Sequence, residues 1–226
     1  MTKHAGDGSF EFWATRYGDL LGVSHDHYMR VKMRYIKNLV SKRFRGEEIN
    51  TVDIGCGRCE SEKYMQDMGG LLVGMDASKE MIASHVKEGA GQMRTMVGDV
   101  CNIPAKDETF NLCFSICLLH HLEPKRIQEA VGEMKRVTKE KGLICLAEHN
   151  PLNPYTRYKV MNCPVDRDAS LISPRKLREI TSEAGLKFVS LDYMIFFPAS
   201  LSFLSPLERI LGGIPLGGQY IMTCEK

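Results

Sequence analysis

The sequence predicts a single α/β domain built on a doubly wound, seven-stranded sheet that is mostly parallel and has an antiparallel last strand. Two observations support this prediction. From residue 50, short apolar runs alternate with longer helical patterns, as expected when helices cover both faces of a parallel sheet. Two more strand-like runs near the C-terminus would add a final hairpin. No linker rich in proline, glycine or serine divides the 226 residues, so we expect one domain.

The first predicted element is an amphipathic helix. From Arg30 to Arg45 there are seven basic residues and no acidic one. Apolar side chains recur there at spacings of three and four, at Met29, Met33, Ile36, Val40 and Phe44. The pattern predicts a basic outer face, which could attract an anionic substrate or membrane surface or could simply be solvated.

The five parallel strands are predicted at the apolar runs TVDIG, LLVGM, MRTMVG, FNLCFSI and LICLAE. Helices fit between them and begin near Glu60, Ser78 and Lys125. Cys113, Cys117 and Cys145 lie in or beside such runs, so we expect them to be buried free thiols and not disulfides.

The pattern changes after Glu148. The segment HNPLNPYTRY is predicted to be a turn-rich loop, because both Asn-Pro pairs disfavour helix. A helix capped by Ser173, with Pro174 as its first residue, is predicted to end at Gly185. The runs LKFVSLDYMIFFP and GGQYIMTCEK are predicted as the hairpin strands, joined by an insert at 199–217.

Composition narrows the class of protein. No apolar run approaches the roughly 20 residues that span a bilayer, and the N-terminus lacks the apolar core of a secretory signal, so a cytoplasmic location is expected. The net charge of +2 does not suggest a nucleic-acid partner.

The stretch IGCGRC has three interpretations. A dinucleotide-binding loop would place its third glycine at Glu60, whose carboxylate would oppose a diphosphate. Cys56 and Cys59 form a Cys-x-x-Cys pair between a strand and a helix, where a reactive thiolate is plausible. No second Cys-x-x-Cys or His pair completes a zinc site, and no metal is expected.

The third interpretation accounts for more of the chain. The runs VDIGCGRC, LVGMDAS, MVGDVCNIP and FNLCFSICLLHHL, in this order, resemble the class I S-adenosylmethionine-dependent methyltransferases, in particular small-molecule methyltransferases of types 11 and 25. The resemblance is clearest over residues 50–148. It implies a Rossmann-like fold, S-adenosyl-L-methionine as methyl donor and S-adenosyl-L-homocysteine as product. Cys59 departs from the family pattern, because many members have a glycine there.

Donor-binding residues follow from the motifs. Gly55 and Gly57 let the backbone turn sharply and approach the methionine part of the donor. Asp76 lies 21 residues beyond Gly55 at a strand end, where a carboxylate can accept both ribose hydroxyl protons. The alternative is that Asp76 and Asp99 each cap a helix or turn. The resemblance adds Asp53 at the ammonium end, Asp99 and Val100 at the adenine, and further contacts at Ala77, Met81, Cys56, Ile116 and Tyr17.

Methyl transfer from a sulfonium is an in-line displacement that depends mainly on alignment. A hydroxyl or ammonium acceptor also requires a base, for which histidine is the usual choice. His120 and His121 follow the fourth strand and His149 follows the fifth, so these three are the catalytic candidates. Each could instead cap or pack the following turn.

The acceptor should be bound by segments outside the sheet. Residues 1–45 resemble a helical lid in which Trp13 and Tyr17 close over the donor, with residues 46–226 forming the core; a helix packed on the sheet is the alternative. The apolar insert would suit an apolar or amphipathic small molecule and transient membrane contact, although core packing also explains it. A non-catalytic partner subunit, an RNA or protein methyltransferase and a thiol oxidoreductase are the competing functions, and the sequence leaves the oligomeric state open.

Overall fold

The structure is a computed structural model that describes residues 17–87, 91–166 and 168–226. The side chains of residues 17–24, Lys87 and Arg209 are outside the described set. The seven predicted strands are present: β1 (Thr51–Ile54), β2 (Leu72–Asp76), β3 (Arg94–Val97), β4 (Phe110–Ile116), β5 (Thr138–His149), β6 (Lys187–Met194) and β7 (Gln219–Glu225).

The strands form one sheet in the order β3-β2-β1-β4-β5-β7-β6. The first five pair in parallel, and β7 runs antiparallel to both β5 and β6. The predicted mostly parallel sheet with an antiparallel last strand is therefore confirmed. The strand order reverses between β1 and β4, which leaves a crevice at their carboxyl ends where ligands bind in sheets of this kind.

Seven α-helices lie within the described residues: α1 (Tyr17–Phe44), α2 (Glu62–Met65), α3 (Lys79–Lys87), α4 (Pro124–Val137), α5 (Pro154–Met161), α6 (Pro174–Glu183) and α7 (Glu208–Leu211). The predicted cap of α6 is confirmed, because Ser173 Oγ accepts the Lys176 N–H at 3.2 Å. Gly185 follows that helix with φ of +73°, a conformation that glycine adopts freely. None of the described helices is long and apolar enough to cross a bilayer.

The core has two layers, one on each face of the sheet. Ile127 and Met134 of α4 pack with Leu177 of α6 on one face. Met33 and Ile36 of α1 pack on the other. The doubly wound arrangement is confirmed because helices cover both faces. Cys113 and Cys145 are fully buried free thiols, as predicted, whereas Cys117 is free but only half-buried.

Helix α1 confirms the amphipathic pattern with one exception. Its apolar stripe is buried at Met29, Met33, Ile36 and Val40. The basic residues at 30, 34, 42 and 43 are exposed. Lys32 is the exception, since it is only 3% exposed. The helix begins at Tyr17, whereas residues 1–16, which include Trp13, lie outside the described residues. The lid therefore stays a prediction.

The prediction of a loop over HNPLNPYTRY was wrong in its second half, which forms α5. Pro154 occupies the first helical position, where its missing N–H costs nothing, and the Asn153 side chain caps the helix by accepting the Thr156 N–H at 2.9 Å. The Asn-Pro pair therefore disfavours helix only at Asn153 itself. The first pair, Asn150-Pro151, remains in a turn.

Candidate functional site

The predicted site residues gather at the carboxyl ends of the parallel strands. Gly55 to Gly57 follow β1, Asp76 ends β2, and Asp99 lies just beyond β3. His120 lies in the turn after β4, and His149 is the last residue of β5. Because β1 and β4 are neighbours where the strand order reverses, the glycine turn and the β4 turn border the same crevice.

The glycine turn needs its two glycines for different reasons. Gly55 has φ of +74°, and a Cβ there would lie 2.8 Å from Leu118 Cδ1. Gly57 has φ of +53°, and a Cβ there would meet nothing within 4 Å, so the backbone faces open space that a ligand can approach. Cys59 also has a left-handed φ of +58°, which explains why glycine suits this position in other family members.

Asp76 ties the glycine turn to the end of β2. Its Oδ2 accepts the Gly57 N–H and its Oδ1 accepts the Ser78 N–H, each at 2.8 Å. Burial raises the pKa of Asp76, while these two amide hydrogens oppose the increase. Each oxygen keeps a lone pair for another donor. The carboxylate therefore caps the local turn and can still accept hydrogen bonds from a diol.

The remaining adenosine-side candidates line the neighbouring strand ends. Asp99 accepts the Cys101 N–H at 2.9 Å and pairs with Arg126 at 2.6 Å, and the Arg126 guanidinium lowers its pKa. Val100 and Met81 are buried, Ala77 is exposed and Ile116 is half-buried. These positions are compatible with the predicted adenine and ribose contacts, which stay predictions. The Tyr17 side chain lies outside the described residues.

Asp53 and Lys32 are two buried, oppositely charged side chains near the glycine turn. Asp53 Oδ2 accepts the Ser61 O–H at 2.5 Å, whereas Oδ1 has no hydrogen-bond partner among the described residues. Burial raises the pKa of Asp53 to about 7. Lys32 makes no ion pair within 4.0 Å to a described carboxylate. Its positive charge nevertheless acts on Asp53, Cys117 and His149.

The sequence analysis missed Lys32 as a site residue, although a signal for it was present. Lys32 lies three residues after Met29 and four before Ile36, so the periodicity of α1 places it on the buried stripe. A lysine on a buried stripe either pairs with an acid or faces a polar cavity.

Three histidines form a cluster beyond β4 and β5. The ring centroids of His120 and His121 are 4.2 Å apart, and those of His120 and His149 are 5.0 Å apart. Two carboxylates that the sequence analysis missed flank His120. Its Nδ1 lies 2.5 Å from Glu148 Oε2, and its Nε2, which has no hydrogen-bond partner in the described structure, lies 3.6 Å from Asp166 Oδ1.

The two carboxylates shift the pKa of His120 in the opposite direction from the shift in the pKa of His121 and His149. Burial alone would lower the pKa of His120, but Glu148 and Asp166 outweigh it and raise that pKa to about 10. Burial and the charge on His120 lower the pKa of His121 and His149 to about 4. At neutral pH, His120 is therefore a cation, whereas the other two rings are neutral.

Other contacts fix the cluster in place. The Gln219 side-chain nitrogen lies 3.3 Å from His149 Nδ1 and 3.3 Å from Cys117 Sγ. The His121 Nε2 atom lies 3.5 Å from Asp166 Oδ1. One ligand atom from each of His120, His121 and Asp166 lies within 4.8 Å of the other two, a spacing that suits a metal ion.

Cys56 lacks the thiolate character that redox chemistry requires of a Cys-x-x-Cys pair. Their sulfur atoms are 3.4 Å apart, and both side chains are buried. The hydrogen bond from Cys59 and the burial of the thiol raise the pKa of Cys56. A reactive cysteine needs the opposite shift.

The strand order and the loops at its carboxyl edge define a class I methyltransferase fold. Residues 52–146 of the chain match the family described as "Methyltransferase domain". The cofactor implied by this family and by the similar structures is S-adenosylmethionine. The unpartnered Asp53 oxygen and the open space above Gly57 fit this molecule. The predicted family, fold and cofactor are thereby confirmed.

Curated relatives share this domain at low identity. A malonyl-[acyl-carrier protein] O-methyltransferase from Pectobacterium atrosepticum is 28% identical over 44% of this chain and 38% of its own length. One of the same name from Buchnera aphidicola is 22% identical over 89% of this chain and 78% of its own length. A methyltransferase from Synechocystis is 27% identical over 45% of this chain and 48% of its own length. The matched region thus spans less than half of the Pectobacterium and Synechocystis proteins.

Solved structures show the same fold. An S-adenosylmethionine-dependent methyltransferase from Thermotoga maritima superposes with a TM-score of 0.72 at 16% identity, covering 96% of this chain and 98% of that chain. Another from Archaeoglobus fulgidus gives a TM-score of 0.63 at 17% identity, covering 86% of this chain and 94% of that chain. At these identities the likeness concerns the fold alone.

Proposed function

We propose that the chain transfers a methyl group from S-adenosylmethionine to an oxygen or nitrogen atom of an amphipathic small molecule. One observation carries the proposal. The turn after β4 borders the glycine turn on one side and on the other holds His120, whose ring lies against the neutral rings of both His121 and His149. A donor-binding region and two proton-accepting side chains therefore lie at adjacent strand ends.

The donor side has a group for each polar part of S-adenosylmethionine. Asp76 is positioned for the ribose diol and Asp99 for the adenine amino group. Asp53 has one buried oxygen without a partner, and Lys32 makes no ion pair with a described carboxylate, which suits the ammonium and carboxylate of an α-amino acid. Apolar contacts are assigned to residues at positions 56, 77, 81, 100 and 116.

The cofactor supplies an electrophilic methyl group on sulfur, so the protein mainly aligns the acceptor and excludes water. His121 or His149 takes the acceptor's proton, because both rings are neutral at the pH of the reaction. His120 is held between Glu148 and Asp166 as a cation and keeps the pKa of the other two rings low. In this scheme His120 positions the cluster and is not itself the base.

One observation supports an amphipathic acceptor, and another supports oxygen as the atom that is methylated. Helix α5 follows His149 closely in the chain, and the insert ends just before Gln219, whose side chain contacts His149. Both segments carry many exposed apolar side chains. The Pectobacterium and Buchnera relatives are named as O-methyltransferases of malonyl-[acyl-carrier protein], which favours an oxygen acceptor here as well.

Two measurements test the proposal. Calorimetric titration with S-adenosylhomocysteine should show binding to the intact chain and at least tenfold weaker binding to Asp76→Asn. The control is Asp67→Asn, because Asp67 is exposed and pairs only with Lys37 among the described residues. Methyl-labelled donor should then label a product in a pool of lipids and metabolites, identified by mass spectrometry. No binding would defeat the proposal, and binding without transfer to any pool would favour a non-catalytic subunit.

A further inference from the structure

Exposed apolar side chains are concentrated on two segments of the chain. Thirteen large apolar residues are exposed among the described side chains, and ten of them lie within residues 152–161 and 201–216. The most exposed are Met161 and Ile210, each at 79%, Phe203 at 73% and Leu216 at 64%. We call this pair of segments the apolar surface. Such concentration marks an interaction site, because single exposed apolar residues are normally scattered.

The two segments are held together by hydrogen bonds. Asn153 Nδ2 donates to the Leu216 carbonyl at 2.7 Å, and Thr156 Oγ1 donates to the Gly218 carbonyl at 2.8 Å. Within the insert, the buried Glu208 carboxylate accepts the N–H groups of Ile195 and Phe196 at 3.1 and 3.2 Å. The apolar surface is therefore fixed by the fold rather than formed by loose loops.

The exposed charged side chains described on the apolar surface are basic. Glu208 is the one acidic residue in positions 150–165 and 199–218, and it is 5% exposed and bound to backbone. Arg157 and Lys159 are exposed on α5, and Lys159 Nζ lies 5.7 Å from the centre of the Tyr155 ring. Apolar and aromatic side chains mixed with lysine and arginine are typical of proteins that lie in the membrane interface.

We propose that the apolar surface docks on an anionic lipid surface. Charge complementarity favours this occupant over a second copy of the chain, because two copies would bring Arg157 and Lys159 together without acidic partners. The described helices do not span a bilayer, so the contact is interfacial. This inference does not depend on methyl transfer. If that reaction occurs, docking brings an acceptor dissolved in the lipid to the side of the molecule that holds His149.

Vesicle sedimentation tests the proposal. The full chain should bind vesicles of phosphatidylcholine mixed with phosphatidylglycerol and bind pure phosphatidylcholine more weakly. The double variant Phe203→Ser/Ile210→Ser should weaken binding to both kinds of vesicle, by roughly tenfold or more on the mixed ones. Arg157→Gln/Lys159→Gln should weaken binding by a similar factor on the anionic vesicles alone.

The matched control is Val86→Ser/Val189→Ser, which removes exposed apolar side chains elsewhere and should bind as the unchanged chain does. Circular dichroism and thermal unfolding check that each variant folds. The proposal is overturned if the unchanged chain stays in the supernatant with anionic vesicles at low salt, or if Phe203→Ser/Ile210→Ser binds them equally well. It is also overturned if that variant loses only a concentration-dependent dimer seen without lipid, since the surface would then join two copies.

Discussion

The Nδ1 atom of His120 lies 2.5 Å from Oε2 of Glu148, and neither side chain is exposed by more than 1%. The neighbouring strands β4 and β5 bring the two residues together, although they are 28 positions apart. The second oxygen of Glu148 accepts the Leu119 N–H at 2.8 Å, which fixes the carboxylate. Burial opposes its ionisation, but the charge on His120 holds the pKa of Glu148 below its usual value.

Breaking this buried pair should destabilise the fold. Glu148→Gln leaves the His120 cation with Asp166 alone, so we expect the free energy of unfolding at pH 7 to fall by roughly 3–5 kcal/mol. Glu179→Gln, in an exposed pair with Arg175, should cost no more than about 1 kcal/mol. Denaturant unfolding measures both changes. If both variants lose the same free energy of unfolding, the buried pair stabilises the fold no more than the exposed pair does.

His120 should also make stability depend on pH in the alkaline range. Its pKa in the folded chain is raised from 6.5 to about 10, so the folded state holds a proton that the unfolded state releases above pH 6.5. The stabilisation is complete below pH 6.5 and is lost as the pH rises towards about 10. The difference in unfolding free energy between the unchanged chain and His120→Asn should shrink over this interval. A constant difference would contradict the raised pKa.

The base hypothesis predicts a rate profile that extends to low pH. Because the pKa of His121 and His149 is about 4, methyl transfer should not lose its base between roughly pH 8 and pH 5.5. Replacing the residue that acts as base by asparagine should lower kcat by about 10²- to 10⁴-fold with little change in S-adenosylhomocysteine affinity. If both single variants keep full turnover across this range, neither ring is the base.

Donor affinity should depend on the ionisation of Asp53. Its pKa is raised to about 7, and a ligand ammonium needs the charged carboxylate. The affinity for S-adenosylhomocysteine should therefore rise as the pH increases through about 7, because a larger fraction of Asp53 is ionised before binding. Asp53→Asn should bind weakly with a flat profile over this range. If the affinity of the unchanged chain for S-adenosylhomocysteine is equally independent of pH, Asp53 does not bind the ligand ammonium.

The sequence was sufficient to predict the fold and the cofactor family. Each strand is signalled by a local apolar run, and the Ser173-Pro174 start of α6 is a local cap. The error at α5 was also local, because Pro154 was read as a helix breaker although proline is favoured at the first helical position. Periodicity and capping act over a few residues, so they are visible without the structure.

The electrostatics of the candidate site could not be predicted in the same way. His120 meets Glu148 through strand pairing and Asp166 through a turn 46 positions further along the chain than His120. Nothing adjacent in the sequence indicates that His120 is charged while its neighbour His121 is neutral. Such shifts depend on burial and on groups far apart in the chain, which only the tertiary structure brings together.

Lys32 provides the sharpest test of how the donor is held. Its side chain is only 3% exposed, its ammonium lacks an ion-pair partner among the described carboxylates, and its charge acts on Asp53, so we expect it to bind the carboxylate of the donor's amino-acid group. Lys32→Met should weaken S-adenosylhomocysteine binding by roughly tenfold or more. Binding of 5′-methylthioadenosine, which lacks the amino-acid group, should change less than about twofold, since the Lys32 ammonium has no group to contact there.

The exposed Lys42 of the same helix supplies the matched control, because Lys42→Met removes an equal charge without touching the site. Titration calorimetry with both ligands and all three proteins completes the comparison. If Lys32→Met weakens both ligands equally, the lysine supports the fold of the site rather than the carboxylate. If neither ligand binds the unchanged chain, the donor assignment itself fails, so the two failures are distinguishable. A lysine side chain that is only 3% exposed is partly desolvated, and a ligand carboxylate is the counter-charge that would offset this cost.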